Sequence, residues 1–89
     1  MGQEIIISAK RFGRMHVLAQ VKDSTDVYIT GLIYSNFIIK DENNSIVSVS
    51  FVIEETDGVY IIGFSKCKVK FIKIKNSVFK SEFFKIITR

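Results

Sequence analysis

Cysteine and histidine are nearly missing from this 89-residue chain, which holds one of each, Cys67 and His16. A lone cysteine excludes an intramolecular disulfide and suits a reducing compartment, so we expect a cytoplasmic protein. One cysteine and one histidine cannot supply a zinc site, and no motif pairs them as nucleophile and base. We therefore expect the chain to have no enzymatic activity, no metal and no cofactor.

Proline and tryptophan are absent, and leucine is rare, with two residues against fifteen isoleucines. The five glycines stand singly, which excludes a glycine-rich phosphate loop. No apolar run reaches the roughly 18 residues that a membrane-spanning helix needs, and no signal-peptide pattern opens the chain. The surplus of β-branched isoleucine favours strands, because these side chains pack well on a pleated surface.

Polar clusters divide the chain at residues 23–26, 40–45, 55–58 and 76–77. They contain the residues that turns use, since Asn and Asp bond to their own backbone and Gly supplies a positive φ. Between most of them lie runs of about eight to ten β-prone residues, a spacing typical of a sandwich or barrel. We predict one all-β domain over residues 1–89, a meander of six to eight strands that closes into a small barrel, roll or sandwich.

Three segments show the hydrophobic pattern of strands. Two of them alternate apolar with polar residues, which predicts a half-buried strand whose apolar residues share one face. These faces are Met15, Val17, Ala19 and Val21 in the first segment, and Val47, Val49, Phe51 and Ile53 in the second. Residues 59–64 are apolar on both faces and predict a central strand, with Gly63 as a candidate bulge.

The last segment, residues 78–89, fits two structures. Phe79, Phe83 and Ile86 recur at helical spacing, whereas Phe84 and Ile86, with the β-branched Thr88, alternate as in a strand. A short apolar run cannot be assigned by periodicity alone. An α+β fold with a C-terminal helix is therefore the alternative to a final strand.

Positive charge is concentrated in the same part of the chain. Residues 66–89 carry eight basic residues and one acid, a net charge of +7, whereas residues 1–65 have a net charge of −3. Such asymmetry indicates an anionic partner, although it carries no information about the fold.

Five lysines lie within one expected strand, residues 66–75, and their spacing changes parity at Phe71-Ile72. A strand without a defect would turn some of these lysines into the core, where an unpaired charge is costly to desolvate. A β-bulge would absorb the extra residue and keep all five on one side. We predict the bulge.

The first functional hypothesis is sequence-independent binding of RNA or single-stranded DNA. Lysine is a flexible point charge that suits phosphate contacts, and aromatic rings beside it can stack on bases. The candidate residues are Lys66, Lys68, Lys70, Lys73 and Lys75, with Lys80, Lys85 and Arg89 extending the row and Phe79 and Phe83 as stacking rings. A smaller basic and aromatic cluster, Lys10, Arg11, Phe12 and Arg14, is a candidate for the same side.

The second hypothesis is a protein–protein interaction module: an inhibitor, an immunity or assembly factor, or an accessory protein of the phage or plasmid type. Such a module would dock its lysines on an acidic protein surface or add an edge strand to a partner's sheet, and exposed edges also favour a homodimer. Lysines on edge strands protect against aggregation as well. If Phe71, Phe79, Phe83 and Phe84 all face inward, stacking is excluded and the protein-partner hypothesis gains.

Overall fold

The computed structural model describes residues 3–65, 68–75, 79–80 and 82–87, with the backbone alone for Gln3, Phe79 and Lys80. Within these ranges the chain forms strands and one 3-10 turn, Tyr34–Asn36, and no α-helix. The strands are β1 Gln3–Arg11, β2 His16–Asp23, β3 Phe37–Asp41, β4 Ile46–Val47, β5 Val49–Thr56, β6 Val59–Phe64, β7 Val69–Ile74, β8 Phe79–Lys80 and β9 Phe84–Lys85. The all-β prediction is confirmed.

The strands form two sheets with the orders β5-β6-β2-β1-β8 and β4-β3-β7-β9. Neighbouring strands are antiparallel except β1 and β8, which are parallel. Because β2 pairs with β6 and β3 with β7, the chain crosses between the sheets rather than running as a simple meander. No ladder among the described strands closes the two sheets into a barrel.

The inner faces of both sheets share one core made almost entirely of β-branched and aromatic side chains. In β2 the expected face is confirmed for Val17, Ala19 and Val21, which are fully buried. Met15 is the exception, because β2 begins at His16 and leaves Met15 exposed in the turn from β1. As expected, β6 is central, between β5 and β2, and buries residues on both faces.

The prediction that residues 47–53 bury one apolar face is wrong for Phe51 and Ile53. Val47 is buried, but Phe51 and Ile53 are 39% and 50% exposed. The register between β5 and β6 shows the reason: Val49 pairs with Phe64 and Phe51 with Gly63, so one extra residue inverts the strand's parity. After this bulge Val52, rather than its neighbours, packs against the core.

Gly63 has a role that differs from the predicted one. The extra residue of the bulge lies opposite it, on β5, and the aromatic ring of Phe51 lies directly over Gly63. A Cβ atom at position 63 would collide with that ring. The glycine therefore provides room for an aromatic side chain on the outer face of the five-stranded sheet.

Residues 84–87 join the two sheets at one corner. Phe84 pairs with Ile72 of β7, and the N–H of Ile86 donates to the carbonyl of Lys70 at 2.8 Å. The next residue, Ile87, donates to Ala9 of β1 at 2.9 Å. The strand interpretation of this segment is confirmed for the described residues, and Ile86 is fully buried.

The turn after β2 is organised by the carboxylate of Asp23, which is 6% exposed. Its Oδ1 accepts hydrogen bonds from the hydroxyl and the backbone N–H of Thr25, at 2.7 and 2.9 Å. The bond from the Thr25 hydroxyl, followed by those from the backbone N–H groups of Val27, at 3.1 Å, and Thr25, holds the pKa of Asp23 below its ordinary value. Asp41 organises the turn after β3 similarly, accepting from the N–H groups of Asn43 and Ser45. Both turns confirm the prediction from their Asp and Asn content.

The substitution Asp23→Asn is expected to change how stability depends on pH, because it keeps the acceptor oxygen but removes the charge. A carboxyl whose pKa is lowered by folding stabilises the protein above about pH 4, and this contribution disappears as the pH falls through the folded-state pKa. The difference in unfolding free energy between wild type and Asp23→Asn should therefore be largest near pH 6 and shrink toward pH 3. Urea denaturation across that range measures it.

The control is Asp57→Asn, which removes an exposed carboxylate from another turn. Its difference from wild type should be smaller than that of Asp23→Asn near pH 6. A difference for Asp23→Asn that stays constant from pH 6 to pH 3 would contradict the assigned role of the carboxylate charge.

Tyr60 of β6 is completely buried and ties the segment after β2 to the core. Its hydroxyl donates to the carbonyl of Ile29 at 2.7 Å and accepts from the N–H of Leu32 at 3.2 Å. The ring meets Phe37 edge to face, with centroids 5.4 Å apart. Burial raises the pKa of the Tyr60 hydroxyl, so the group keeps the proton that it donates.

Candidate nucleic-acid interface

The predicted bulge in the lysine-rich strand is present, one step earlier than the change in sequence parity. Lys40 of β3 pairs with Phe71, and the adjacent Asp41 pairs with Val69, so Lys70 is the extra residue. Val69 and Ile72 are both buried, with two residues between them instead of one. Lys70 and Phe71 therefore both lie toward the outer face of the four-stranded sheet.

The bulge keeps the described lysines of residues 68–75 out of the core. Lys68, Lys70 and Lys75 are exposed and Lys73 is half-buried. Lys85 of β9 is also exposed and pairs with Phe71. These positions agree with the sequence prediction that the row lies on the surface.

The structure does not show several other predicted residues as part of this row. Lys66, Cys67, Arg89 and the expected turn at residues 76–77 are outside the described residues. The backbone of Phe79 and Lys80 forms β8, which pairs with Gln3 and Glu4 at the edge of the five-stranded sheet. The structure thus places Lys80 on a strand of the other sheet and does not continue the lysine row through it.

Phe83 provides an exposed ring among the lysines. It is 37% exposed, and its centroid lies 4.5 Å from Nζ of Lys40 and 5.4 Å from Nζ of Lys73. By contrast, Phe84 packs against the core, and Phe71 is half-buried. The aromatics of this region do not all turn inward, so the condition that would exclude stacking is not met.

Sequence reasoning missed Lys40, which it counted within the acidic part of the chain. Lys40 joins the lysines because β3 pairs with β7, and the cross-strand pairs place Lys40, Phe71 and Lys85 in one row across three strands. No local sequence signal carries this information, since the pairing joins segments far apart in the chain. We call the basic face the outer surface formed by Lys40, Lys70, Phe71, Lys73, Lys75, Phe83 and Lys85.

A groove of about 440 Å³ adjoins the basic face at the corner where residues 84–87 cross to β1. Four cationic side chains and one carboxylate line it, over a buried apolar floor of Val69 and Ile86. These charged residues, which with the floor we call the basic groove, are Arg11, Lys68, Lys70, Lys85 and Glu42.

Two of the cationic side chains of the groove contact other groups of the protein. Nζ of Lys68 is 3.9 Å from Oε1 of Glu42, and both side chains are largely exposed. Nη2 of Arg11 donates to the carbonyl of Arg14 at 2.9 Å. Of the smaller basic cluster predicted from the sequence, Arg11 lines the groove, whereas Lys10 lines a separate hollow over the five-stranded sheet.

No group of three or more His, Cys, Asp or Glu residues that could hold a metal ion occurs among the residues that the structure describes. His16 lies on the outer face of β2, as expected, half-buried beside Phe51 with ring centroids 5.6 Å apart. Over the same ranges there is no helix with the length and hydrophobicity to span a bilayer.

Comparison with protein-family models, curated proteins and solved structures found no match to this chain. We therefore infer a function from the charges and aromatic rings of the basic face and the basic groove.

Proposed function

We propose that this protein binds single-stranded RNA or single-stranded DNA on its basic face and performs no catalysis. The observation that carries the proposal is the exposed ring of Phe83, over which the ammonium groups of Lys40 and Lys73 lie at 4.5 and 5.4 Å from the ring centroid. A base can stack on such a ring when the two ammonium groups move from the ring to the phosphates of the strand.

The composition of the face favours single strands over duplexes. Its cations are lysines, which contact phosphates without reading base edges. A ring can stack on an unpaired base of any kind, because every base has a π-face, whereas a base inside a duplex is already stacked on its neighbours. The proposed specificity is therefore for strandedness rather than for sequence.

Binding to labelled single-stranded RNA, single-stranded DNA and duplex DNA across a salt series tests the proposal. If the five lysines of the basic face each contact a phosphate, log K falls against log salt with a slope of roughly −3.5 for single strands. We expect micromolar or tighter binding of single strands at about 50 mM salt and weaker binding of the duplex. No binding at that salt concentration, where electrostatic attraction is strong, would overturn the proposal.

Phe83→Leu is expected to weaken single-strand binding about tenfold, because stacking on one aromatic ring contributes roughly 1–3 kcal/mol. The slope against salt should stay unchanged, since no charge is removed. Fluorescence anisotropy with a labelled oligonucleotide measures both quantities. The matched control is Phe12→Leu, at an exposed phenylalanine in the turn after β1, which should bind as wild type does. Equal losses in both variants would contradict stacking on Phe83.

A homodimer is the second candidate, favoured by the outer face of the five-stranded sheet. Ile53, Ile61 and Leu18 are cross-strand neighbours in one row on that face, and Ile53 is half-exposed. An apolar row that reaches the sheet edge at β5 suits a second copy of the chain. If the copies associate in this way, Ile53→Lys will shift a concentration-dependent dimer to monomer in sedimentation velocity. A monomeric wild type at about 100 μM would contradict the dimer.

A further inference from the structure

We propose that the basic groove binds a terminal phosphate monoester of the nucleic-acid strand that lies on the basic face. This inference rests on the proposed function, whose cations it shares at Lys70 and Lys85. It adds to the proposed function the part of the strand that is recognised, its phosphorylated end, and the site at which that end binds. The volume of about 440 Å³ falls within the range of small-molecule sites and is sufficient for one nucleotide.

The charge of the groove matches a monoester better than an internal phosphodiester. Four cations face a single carboxylate, so the groove carries a net charge of +3. An internal phosphodiester carries one negative charge, whereas a phosphate monoester carries about −1.5 to −2 at pH 7. The second charge of the monoester is stabilised by cations that a phosphodiester would leave partly unneutralised.

One of the four cations of the groove is an arginine, Arg11. The guanidinium of Arg11 has a planar arrangement of five donors and uses one nitrogen to bond to the Arg14 carbonyl. That bond fixes the orientation of the group while leaving donors on the other nitrogens for phosphate oxygens. The buried floor of Val69 and Ile86 offers an apolar surface to the adjoining sugar.

The groove and the stacking ring are within reach of one strand. Phe83 and Lys85 are two residues apart along the same segment, which corresponds to about 7 Å. This is comparable with the spacing of neighbouring nucleotides in an extended strand. A base on Phe83 therefore places the next phosphate beside Lys85, at the entrance to the groove.

Anisotropy titrations with three labelled oligothymidylates of about eight nucleotides test the inference: one with a 5′-phosphate, one with a 3′-phosphate and one with hydroxyl ends. We expect one phosphorylated form to bind about tenfold more tightly than the hydroxyl form at about 50 mM salt. The phosphorylated form that binds more tightly identifies the strand end that enters the groove. Equal affinity for all three would overturn the inference and leave the groove to internal phosphates.

Three variants that each remove one positive charge locate the effect. Arg11→Gln and Lys68→Gln change the groove alone and should reduce the tenfold preference to about threefold or less. Because Lys68 is exposed, its substitution should leave the fold intact, and a changed preference then reports on the groove. Lys73→Gln, on the basic face, should weaken all three oligonucleotides equally and keep the preference. A preference that survives both groove variants would overturn the inference.

If the oligonucleotides do not bind at all, the proposed function fails. The groove is then tested by a separate measurement. Inorganic pyrophosphate is then titrated into ¹⁵N-labelled protein, and amide shifts are recorded. Shifts confined to Arg11, Lys70 and Ile86 would support an anion site in the groove. No shift in these amides at millimolar pyrophosphate would overturn it.

Discussion

The double variant Lys70→Glu/Lys73→Glu is expected to bind single-stranded nucleic acid at least about a hundredfold more weakly than wild type at about 50 mM salt. Each lost phosphate contact changes the salt exponent by about 0.7, which at this salt concentration corresponds to nearly a factor of ten in affinity. Two contacts are lost, and the two new carboxylates repel the strand. The slope against salt should fall by about 1.4.

The matched control is Lys10→Glu/Arg14→Glu, which changes the net charge by the same amount. Both residues are exposed, one on β1 and one in the turn that follows it, and neither belongs to the basic face. This variant should lose affinity only a few-fold, through the long-range field. Equal losses in the two double variants would mean that net charge, and not the basic face, determines binding. All four substituted residues lie outside the core, so the free energy of unfolding of each double variant should be within about 0.5 kcal/mol of wild type.

Tyr60→Phe is expected to lower the free energy of unfolding by about 3 kcal/mol, although it removes a single oxygen atom. The hydroxyl is the partner of both the Ile29 carbonyl and the Leu32 N–H, and both residues are buried. Leaving a buried donor or acceptor without its partner costs about 1–3 kcal/mol for each group. The aromatic ring and its contact with Phe37 are retained, so the loss reports on the hydroxyl.

Urea denaturation of Tyr60→Phe and of Tyr34→Phe provides the comparison. Tyr34 is 61% exposed, and its variant should unfold within about 0.5 kcal/mol of wild type. A loss below about 1 kcal/mol in Tyr60→Phe would contradict the interpretation and indicate that water replaces the hydroxyl. Binding to single strands should be unchanged in both, because neither residue belongs to the basic face.

Features that depend on neighbouring residues could be predicted from the sequence. The buried face of β2 follows from simple alternation, and the central position of β6 follows from a run that is apolar on both sides. The turns at Asp23 and Asp41 follow from carboxylates that bond to their own backbone. The bulge at Lys70 could be inferred because the cost of burying lysine excluded the regular alternative.

Features that depend on partner strands could not be predicted. The bulge in β5 inverts the faces of Phe51 and Ile53, and nothing within β5 distinguishes it from a regular alternating strand. Lys40 reaches the basic face only through the pairing of β3 with β7. Arg11 reaches the basic groove only because Ile87 pairs with β1. In each case the deciding interaction joins residues that are distant in sequence.

The corner formed by residues 84–87 has a consequence for folding. Until these residues pair with it, β7 is the outermost strand of its sheet and presents unpaired backbone groups to other unfolded chains. This interval lasts until residues 84–87 pair with β7 and β1 during folding. During it, Lys70, Lys73 and Lys75 line the open strand, and lysines on such an edge hinder pairing with a second chain. The same side chains that form the proposed binding surface thus also hinder aggregation of the incompletely folded protein.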